Sequence, residues 1–507
     1  MSFGGLYISI SGIYANKKSL DTLSHNIANA NNKNYVRQSA IHGESRYTTN
    51  VQARFQKGTG VDVQQIRQIR DEFLDLRIRN ENALYGYYST KSEMLGEIEA
   101  IFNEMTTSGL QNVMDDFWNA WEELYKEPDS LTIRGLLHET AVAFTTTINH
   151  INTQLNNLQF DLNKEMINRA EEINGLLEDI VQLNKIIRKA DGYGSNMSPN
   201  DFLDDLNGKL DRLSELIPIK YYHNQHGDVV VTLNGRDLIN EDYYNPLKIE
   251  IDYKNHGQVH WSDTGELIDL AGQGELGGHI DARDKILPEY RDRLNILVGT
   301  LASVINAIHR NGHTLEDVPA TGLDFFKFDI KNPSASIKVN PELGDFDKIA
   351  TSLTGARGDG EIARAILSLR NVDLLDKFDA YLDASGVRYV HEDIENWIGS
   401  LTTIDNVDED IIDSLKALGL SLTTDEYYKE LILDLSLERE EAIQMANNQD
   451  ILIRQLDQRR QEISAVSLDE EMANMIKYQH SYVANSRVVN AIDEMLEKII
   501  NGIGVTR

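Results

Sequence analysis

The sequence predicts a mainly α-helical, multi-domain chain, with a β-rich domain inserted into its middle and terminal helices that pair as a coiled-coil-like layer. Three observations predict this. All eight prolines lie between Pro128 and Pro341, so both ends lack the residue that breaks helix interiors. Apolar residues recur every seven positions at both termini. Between them, residues 220–268 alone combine β-branched runs with turn signals.

In chain order, Leu6, Ile13, Leu20 and Ile27 form the first heptad row, with Ile10 and Leu23 beside it. The asparagine-rich run 28–34 ends that helix, because Asn favours caps and turns. Phe117, Trp121 and Leu124 share a helical face and, with Trp118, read as core. Residues 136–188 form a third amphipathic stretch with rows Phe144, Ile151, Leu158 and Ile148, Leu155, Leu162. After a phase shift Met166, Ile173, Ile180 and Ile187 continue it, and 191–196 breaks it. Val229–Leu233 and Leu247–Ile251 read as strands, with Asn234-Gly235 and His226-Gly227 as turns. A helix is expected over 283–309. An acidic insert follows at 374–422, with short helical patterns around Trp397-Ile398 and 411–418. A charged helix spans 425–465. The last helix carries Leu468, Met475, Tyr482, Val489, Leu496 and Ile503 at a step of seven, with Tyr478, Ile492 and Ile499 alongside. Ser467 and Glu470 fit a capping box at its start.

These elements divide the chain into a terminal helical domain (1–36 with 467–507), a helical-bundle body (37–218, 278–373 and 423–466), a β-rich domain (219–277) and the acidic insert (374–422). At 507 residues, about three or four such units are expected. The formal charge of −32 argues against nucleic acid and anionic lipid as partners. No apolar run is long enough to span a membrane and no secretory signal is visible. The absence of cysteine excludes disulfides and thiolate chemistry. The first 37 residues carry Lys17, Lys18, Lys33 and Arg37 against a single acid, Asp21. That polarity either packs the basic end against acidic neighbours or only solvates it.

Signals for chemistry are weak. Gly272-Gln-Gly-Glu-Leu-Gly277 fits a dinucleotide-binding pattern, but a helix follows where a parallel strand is required, so it reads as a glycine-rich connection. His256/His260 and His309/His313 are each four apart, but Gly257 and Asn311-Gly312 interrupt them and neither pair carries a metalloprotease Glu. No cofactor, metal site or catalytic constellation is expected.

The termini carry a resemblance. Ser11-Gly12, Asn26-Ile27-Ala28-Asn29 and Tyr35-Val-Arg-Gln38 resemble the N-terminal signature of the flagellar rod, hook and hook-associated axial proteins. Ser467-Leu468-Asp469-Glu470-Glu471-Met472, with Lys477-Tyr-Gln479 and Asp493-Glu-Met-Leu496, is similar to the hook-associated protein 1 (FlgK) family. Internally, 274–284, Phe325-Phe326 and 335–340 also match its pattern. Asn34 replaces the usual Gly before Tyr35, which left-handed backbone tolerates.

The resemblance implies a non-enzymatic structural subunit of the hook–filament junction, exported without a cleaved signal and assembled outside the cell on the flagellum. Its implied partners are further copies in a ring, the hook protein, a second hook-associated protein on the filament side and an FlgN-type export chaperone. The chaperone would hold Met475, Tyr482, Val489, Ile492 and Leu496. The two heptad rows would form the assembly interface, and the segment 6–27 would exchange freely in the monomer. The alternatives are another axial subunit of rod or hook, which the 467–472 block argues against, and a cytoplasmic coiled-coil scaffold, for which the 26–32 signature has no reason.

Overall fold

The computed structural model describes residues 4–32, 34–45, 47–50, 55–102, 109–190, 199–251, 257–270, 272–316, 322–375 and 421–503. His256, Trp397-Ile398, the 411–418 pattern and the breaker at 191–196 lie outside the described residues.

Helix α1 (Gly4–Ala28) leads into an antiparallel arm. There β1 (Gln38–Glu44) pairs with β4 (Val61–Gln68) through a bulge at Ile41/His42, while β2 (Tyr47–Asn50) pairs with β3 (Phe55–Gly58). This corrects the expectation that the helical body begins at residue 37. Then come α2 (Glu72–Phe102), α3 (Leu110–Lys126), α4 (Leu131–Ala190) and α5 (Asn200–Leu216). At a rise of about 1.5 Å per residue, the 60 residues of α4 run through the whole body.

A small β region follows: β5 (Lys220–His223), β6 (Val229–Leu233), β7 (Arg236–Asn240) and β8 (Tyr243–Tyr244) form one antiparallel sheet in sequence order. Strands β9 (Leu247–Ile251) and β10 (Gly257–Trp261) form a separate pair. The β6–β7 turn puts Asn234 and Gly235 at φ 52° and 83°, the left-handed geometry that Asn-Gly tolerates.

The expected helix over 283–309 begins earlier, as α6 (Gly274–Asp281), passes through one π-helical turn at Ala282–Ile286 and continues as α7 (Leu287–Arg310). Pro288 lacks the N–H that Asp284's carbonyl would receive, which accounts for the bulge. Short elements follow: β11 (Phe326–Lys327), α8 (Pro333–Ser336), β12 (Lys338–Val339) and α9 (Glu361–Ser368). Leu375 and Leu422 then meet in an antiparallel bridge that pins both ends of the acidic insert to the body. Helix α10 (Thr424–Ser464) opens on a full Thr423/Glu426 capping box, and α11 (Leu468–Ile503) ends the described chain.

Two cores share α4. In the first, Phe117, Trp118 and Trp121 of α3 pack with Phe144, Phe325 and Phe326, all buried; Phe117 and Phe144 stack at 5.3 Å. The aromatic run is therefore core. In the second, Met166, Ile173 and Ile180 meet Leu206, Leu210 and Leu213 of α5 and the inward face of β6. A third contact joins α2 and α10 through Leu74, Ile78 and Leu456. Beside it runs a charge chain: Arg70–Asp75 (2.5 Å), Asp75–Arg460 (3.4 Å), Arg460–Asp211 (2.8 Å) and Asp211–Arg79 (2.8 Å). Each buried carboxylate there has a guanidinium, as burial of charge requires.

A candidate assembly interface

The two signature segments, far apart in sequence, fold onto one another. Asn26, fully buried near the end of α1, is their hub. Its amide nitrogen donates to the Gln38 carbonyl (2.9 Å) and to Glu471 Oε2 (3.0 Å). Its oxygen accepts from the Tyr35 hydroxyl (2.7 Å) and the Gln38 N–H (3.0 Å). Burial and the carboxylates of Asp201, Asp204 and Glu471 push the Tyr35 phenol well above its ordinary value, so it stays a donor. Glu471, with its side chain 1% exposed, receives Arg37 Nε at 2.7 Å, and Arg37 Nη1 reaches Glu470 at 2.7 Å. One residue of each kind thus ties together α1, β1 and the start of α11.

The Ser467–Glu470 capping box is only half present. The Glu470 N–H lies 3.5 Å from Ser467 Oγ, while the Glu470 carboxylate is taken by Arg37. Ser11 Oγ donates to the Ile8 carbonyl (2.8 Å) and accepts the Val61 N–H (3.2 Å), docking the arm on α1. Asn29 Nδ2 donates to the His25 carbonyl (3.1 Å), closing the helix end, and Ala28 marks its last turn.

Helices α1 and α11 run antiparallel. A Cβ placed on Gly5 would lie 3.5 Å from Ile492, and one on Gly12 would lie 2.8 Å from the Asn485 amide; Asn26 meets Glu471. Both sides step by sevens along this line. Ser19 joins through the arm: its Oγ lies 2.7 Å from His42 Nε2, and the His42 ring stacks on Tyr478 at 5.9 Å. The line of closest approach is thus small and polar on α1, one position away from the Leu6, Ile13, Leu20, Ile27 row.

Of the residues expected at the interface, Leu23 is buried. Leu6, Ile10, Ile13, Leu20 and Ile27 on α1, and Met475, Val489, Ile492 and Leu496 on α11, are half-buried. Leu468, Met472 and Tyr482 are exposed, as is Asp469; the Ile503 side chain lies outside the described residues. Tyr7 and Tyr14, each 69% exposed, extend the apolar surface of α1, and Ile476, Val488, Met495 and Ile500 extend that of α11. Contiguous exposed apolar surface is characteristic of interaction sites.

Sequence reasoning held Arg37 and Gln38 only as members of the Tyr35–Gln38 motif, with Arg37 also in the basic end, and it missed His42 as part of this junction. Opposite charge at Arg37 and Glu470-Glu471 is the one signal that pointed to the pairing. It also missed α5, whose Asp201 accepts from Gln38 Nε2 (3.0 Å) and whose Asp204 accepts from the Val36 N–H (3.2 Å) and Gln68 Nε2 (2.8 Å). Burial, against those hydrogen bonds and the nearby Arg70, pushes the Asp204 carboxyl up to about 7.

The weak chemical signals resolve as packing. A Cβ on Gly274 would lie 2.4 Å from the Leu216 carbonyl oxygen, and one on Gly277 2.3 Å from that of Leu270. Those glycines let backbone meet backbone. His309 is buried: its Nδ1 faces the Leu323 carbonyl (2.8 Å), its Nε2 accepts the Ala350 N–H (2.9 Å), and burial holds it neutral with a pKa of about 4. Among the described residues no group of three His, Cys, Asp or Glu is placed to hold a metal, and no helix is long and apolar enough to cross a membrane.

Comparison with known proteins finds flagellar relatives. The family described as the flagellar hook-associated protein FlgK helical domain matches residues 95–326, and the flagellar basal body rod FlgEFG protein C-terminal family matches 457–502. Flagellar hook-associated protein 1 of Bacillus subtilis is 30% identical over 546 aligned residues, covering 99% of each chain. That of Salmonella typhimurium is 21% identical, covering 97% of this chain and 98% of its own. The flagellar hook junction protein FlgK of Burkholderia pseudomallei superposes with a TM-score of 0.44, at 19% identity, over 50% of this chain and 46% of that one.

Proposed function

The chain belongs to the flagellar hook-associated protein 1 (FlgK) family of structural flagellar proteins, and on that premise we propose that it forms the junction between hook and filament. In this reading it is exported and assembles extracellularly, as a ring of copies, on the distal end of the hook. A second hook-associated protein then sits on its filament side. Its task is mechanical rather than catalytic.

The observation that carries the reading is the paired terminal helices, whose seam is small and polar on α1 and whose apolar rows stay largely half-buried or exposed. Burying a Leu- or Tyr-sized side chain contributes about 1.5–3 kcal/mol. The rows along α1 and α11 supply many such positions, which neighbouring subunits would cover. Before assembly the same surface needs protection, which supports an FlgN-type chaperone on the Met475, Tyr482, Val489, Ile492 and Leu496 stretch of α11.

Electron microscopy of cells lacking the gene, with an assay of flagellin in the medium, tests the proposal. Hooks without filaments, with flagellin lost to the medium, are expected. Cells without hooks would move the assignment to a rod or hook subunit, and normal filaments would remove the axial reading altogether.

A further inference from the structure

We infer that the groove between α2 and the end of α10 receives the base of α11 from a neighbouring copy of this chain. The inference rests on the assembly reading above.

The groove, about 420 Å³, is lined by Arg77 of α2 and by Leu452, Gln455, Leu456, Arg459 and Glu462 of α10. It lies between two antiparallel helices: Leu74 and Ile78 meet Leu456, and Glu99 meets Arg439 further along. Spacings of three and four put Leu452, Leu456 and Arg459 on one face of α10, and Phe73, Leu76 and Arg77 on one face of α2. Leu456 is buried in the floor. Leu452 is 41% exposed on one wall, and Phe73 is 65% exposed beside the other. The Arg77 guanidinium lies over the Phe73 ring at 6.0 Å. Arg77 and Arg459 are both exposed, and neither forms an ion pair with a described residue. Aromatic and arginine side chains around an apolar pocket are the usual anchors of an interface. The occupant therefore needs an apolar stripe with an acid beside it.

The base of α11 has that chemistry. Leu468, Met472 and Ile476 follow one another at steps of four, and each is more than half exposed. Asp469 beside them is exposed and forms no ion pair with a described residue. The stripe spans eight residues, about 12 Å, and the groove spans ten along α10, about 15 Å. The outer face of α1 is a poorer match, because Lys17 and Lys18 beside Tyr14 repel the two guanidiniums. Height along the axis selects the same segment. The groove ends two residues before Ser464, the last residue of α10, and the stripe starts at the first residue of α11. Both flank the root, where the Arg37 N–H meets the Ser464 carbonyl and its guanidinium meets Glu471. Copies in a ring share one height, so the surfaces that meet must lie level with each other. The other acidic stretch of α11, at Glu494 and Glu497, begins about 33 Å beyond Met472. A copy leaves its own stripe and groove exposed, so it does not fill them itself. Each copy then offers a stripe to one neighbour and a groove to the other, the head-to-tail contact that closes a ring.

The native absence of cysteine makes the test clean. Full-length chains carrying Gln455→Cys or Met472→Cys are expressed together in cells lacking the native gene, and isolated hook–filament structures are oxidised. A covalent dimer is expected when both chains are present, but not with either alone or in dilute mixed monomer. Each chain has one cysteine, so the bond joins two copies. In parallel, Arg77→Glu/Arg459→Glu is expected to reduce filament-bearing cells at least tenfold, with the unfolding midpoint of the purified chain unchanged. Adding Asp469→Lys to that variant is expected to restore filaments. Mixed structures that assemble without the cross-link, full filaments with the double Glu variant, or no rescue by Asp469→Lys overturn the inference and leave the junction role standing. Absence of the unmodified chain from purified junctions removes both.

Discussion

Asn26 and Glu471, 445 positions apart, meet in a 3.0 Å hydrogen bond that closes the chain's two ends on each other. Around it Asn26 satisfies all four of its hydrogen-bonding positions, and Glu471 holds Arg37. The terminal helices are thus fastened at a root next to the body, and their apolar flanks run outward from it.

Asn26→Ala takes away the Asn26 partner of the buried Gln38 N–H and carbonyl, of the Tyr35 hydroxyl and of Glu471 Oε2, which keeps only Arg37 on its other oxygen. A buried unsatisfied group costs about 1–3 kcal/mol, so a loss of about 3 kcal/mol is expected. Denaturant unfolding of the purified chain measures it, and a loss under 1 kcal/mol would mean that the hub relaxes onto water.

Arg37→Ala strands the Glu471 carboxylate, and removing one partner of a buried pair costs about 3–5 kcal/mol. Arg37→Ala in a Glu471→Gln background should cost clearly less than in the native chain. A double-mutant cycle reads the coupling, and additivity of the two changes would show that the pair does not act as one.

Tyr14→Asp places a charge on the outward flank of α1, at a site 69% exposed. Monomer stability should stay within about 0.5 kcal/mol, as for most surface changes, while filament-bearing cells fall sharply. Unfolding curves and filament counts together separate an assembly defect from a folding defect.

Asp204 gives a dependence on pH. Its folded value of about 7 stands above its unfolded value, so the native state keeps a proton that the unfolded chain releases. Its contribution to stability is therefore present below about pH 4 and is lost as pH rises through 7, with a slope approaching about 1.4 kcal/mol per pH unit. The difference in stability between native chain and Asp204→Asn, measured from pH 4 to 8, should trace that loss. A flat difference would mean that Asp204 is already ionised.

Much of the architecture is legible in sequence, because apolar periodicity reports which face of a helix is buried. The rows of α4 at Phe144, Ile151 and Met166, Ile173 fall on its two cores. Helix α2 was not legible, since it packs against α5, α6 and α10 on several sides and so has no single apolar stripe. The arm 38–68 was not legible either: its strand QSAIHGE is half-exposed and lacks clean alternation. At the termini, periodicity located the helices but shifted the seam by one residue. Apolar rows mark surface that wants cover, and here Gly5 and Gly12 take the close approach while Leu6 and Ile13 flank it. Which atoms Asn26 touches depends on pairing across 445 positions, which no local pattern encodes.

Hydrogen exchange along α1 tests the central claim most directly. Among the described apolar residues of α1 only Ala15 and Leu23 are fully buried, whereas ordering each residue costs about 1–2 kcal/mol. The root at Asn26 narrows the expectation of freedom to the outer part of the helix. Amides from Leu6 to Leu20 should exchange quickly in dilute monomer, those beside Asn26 more slowly, and all of them should be strongly protected in isolated hook–filament junctions. Strong protection from Leu6 to Leu20 in the monomer, equal to that in the junction, would contradict the coupling of terminal-helix folding to assembly.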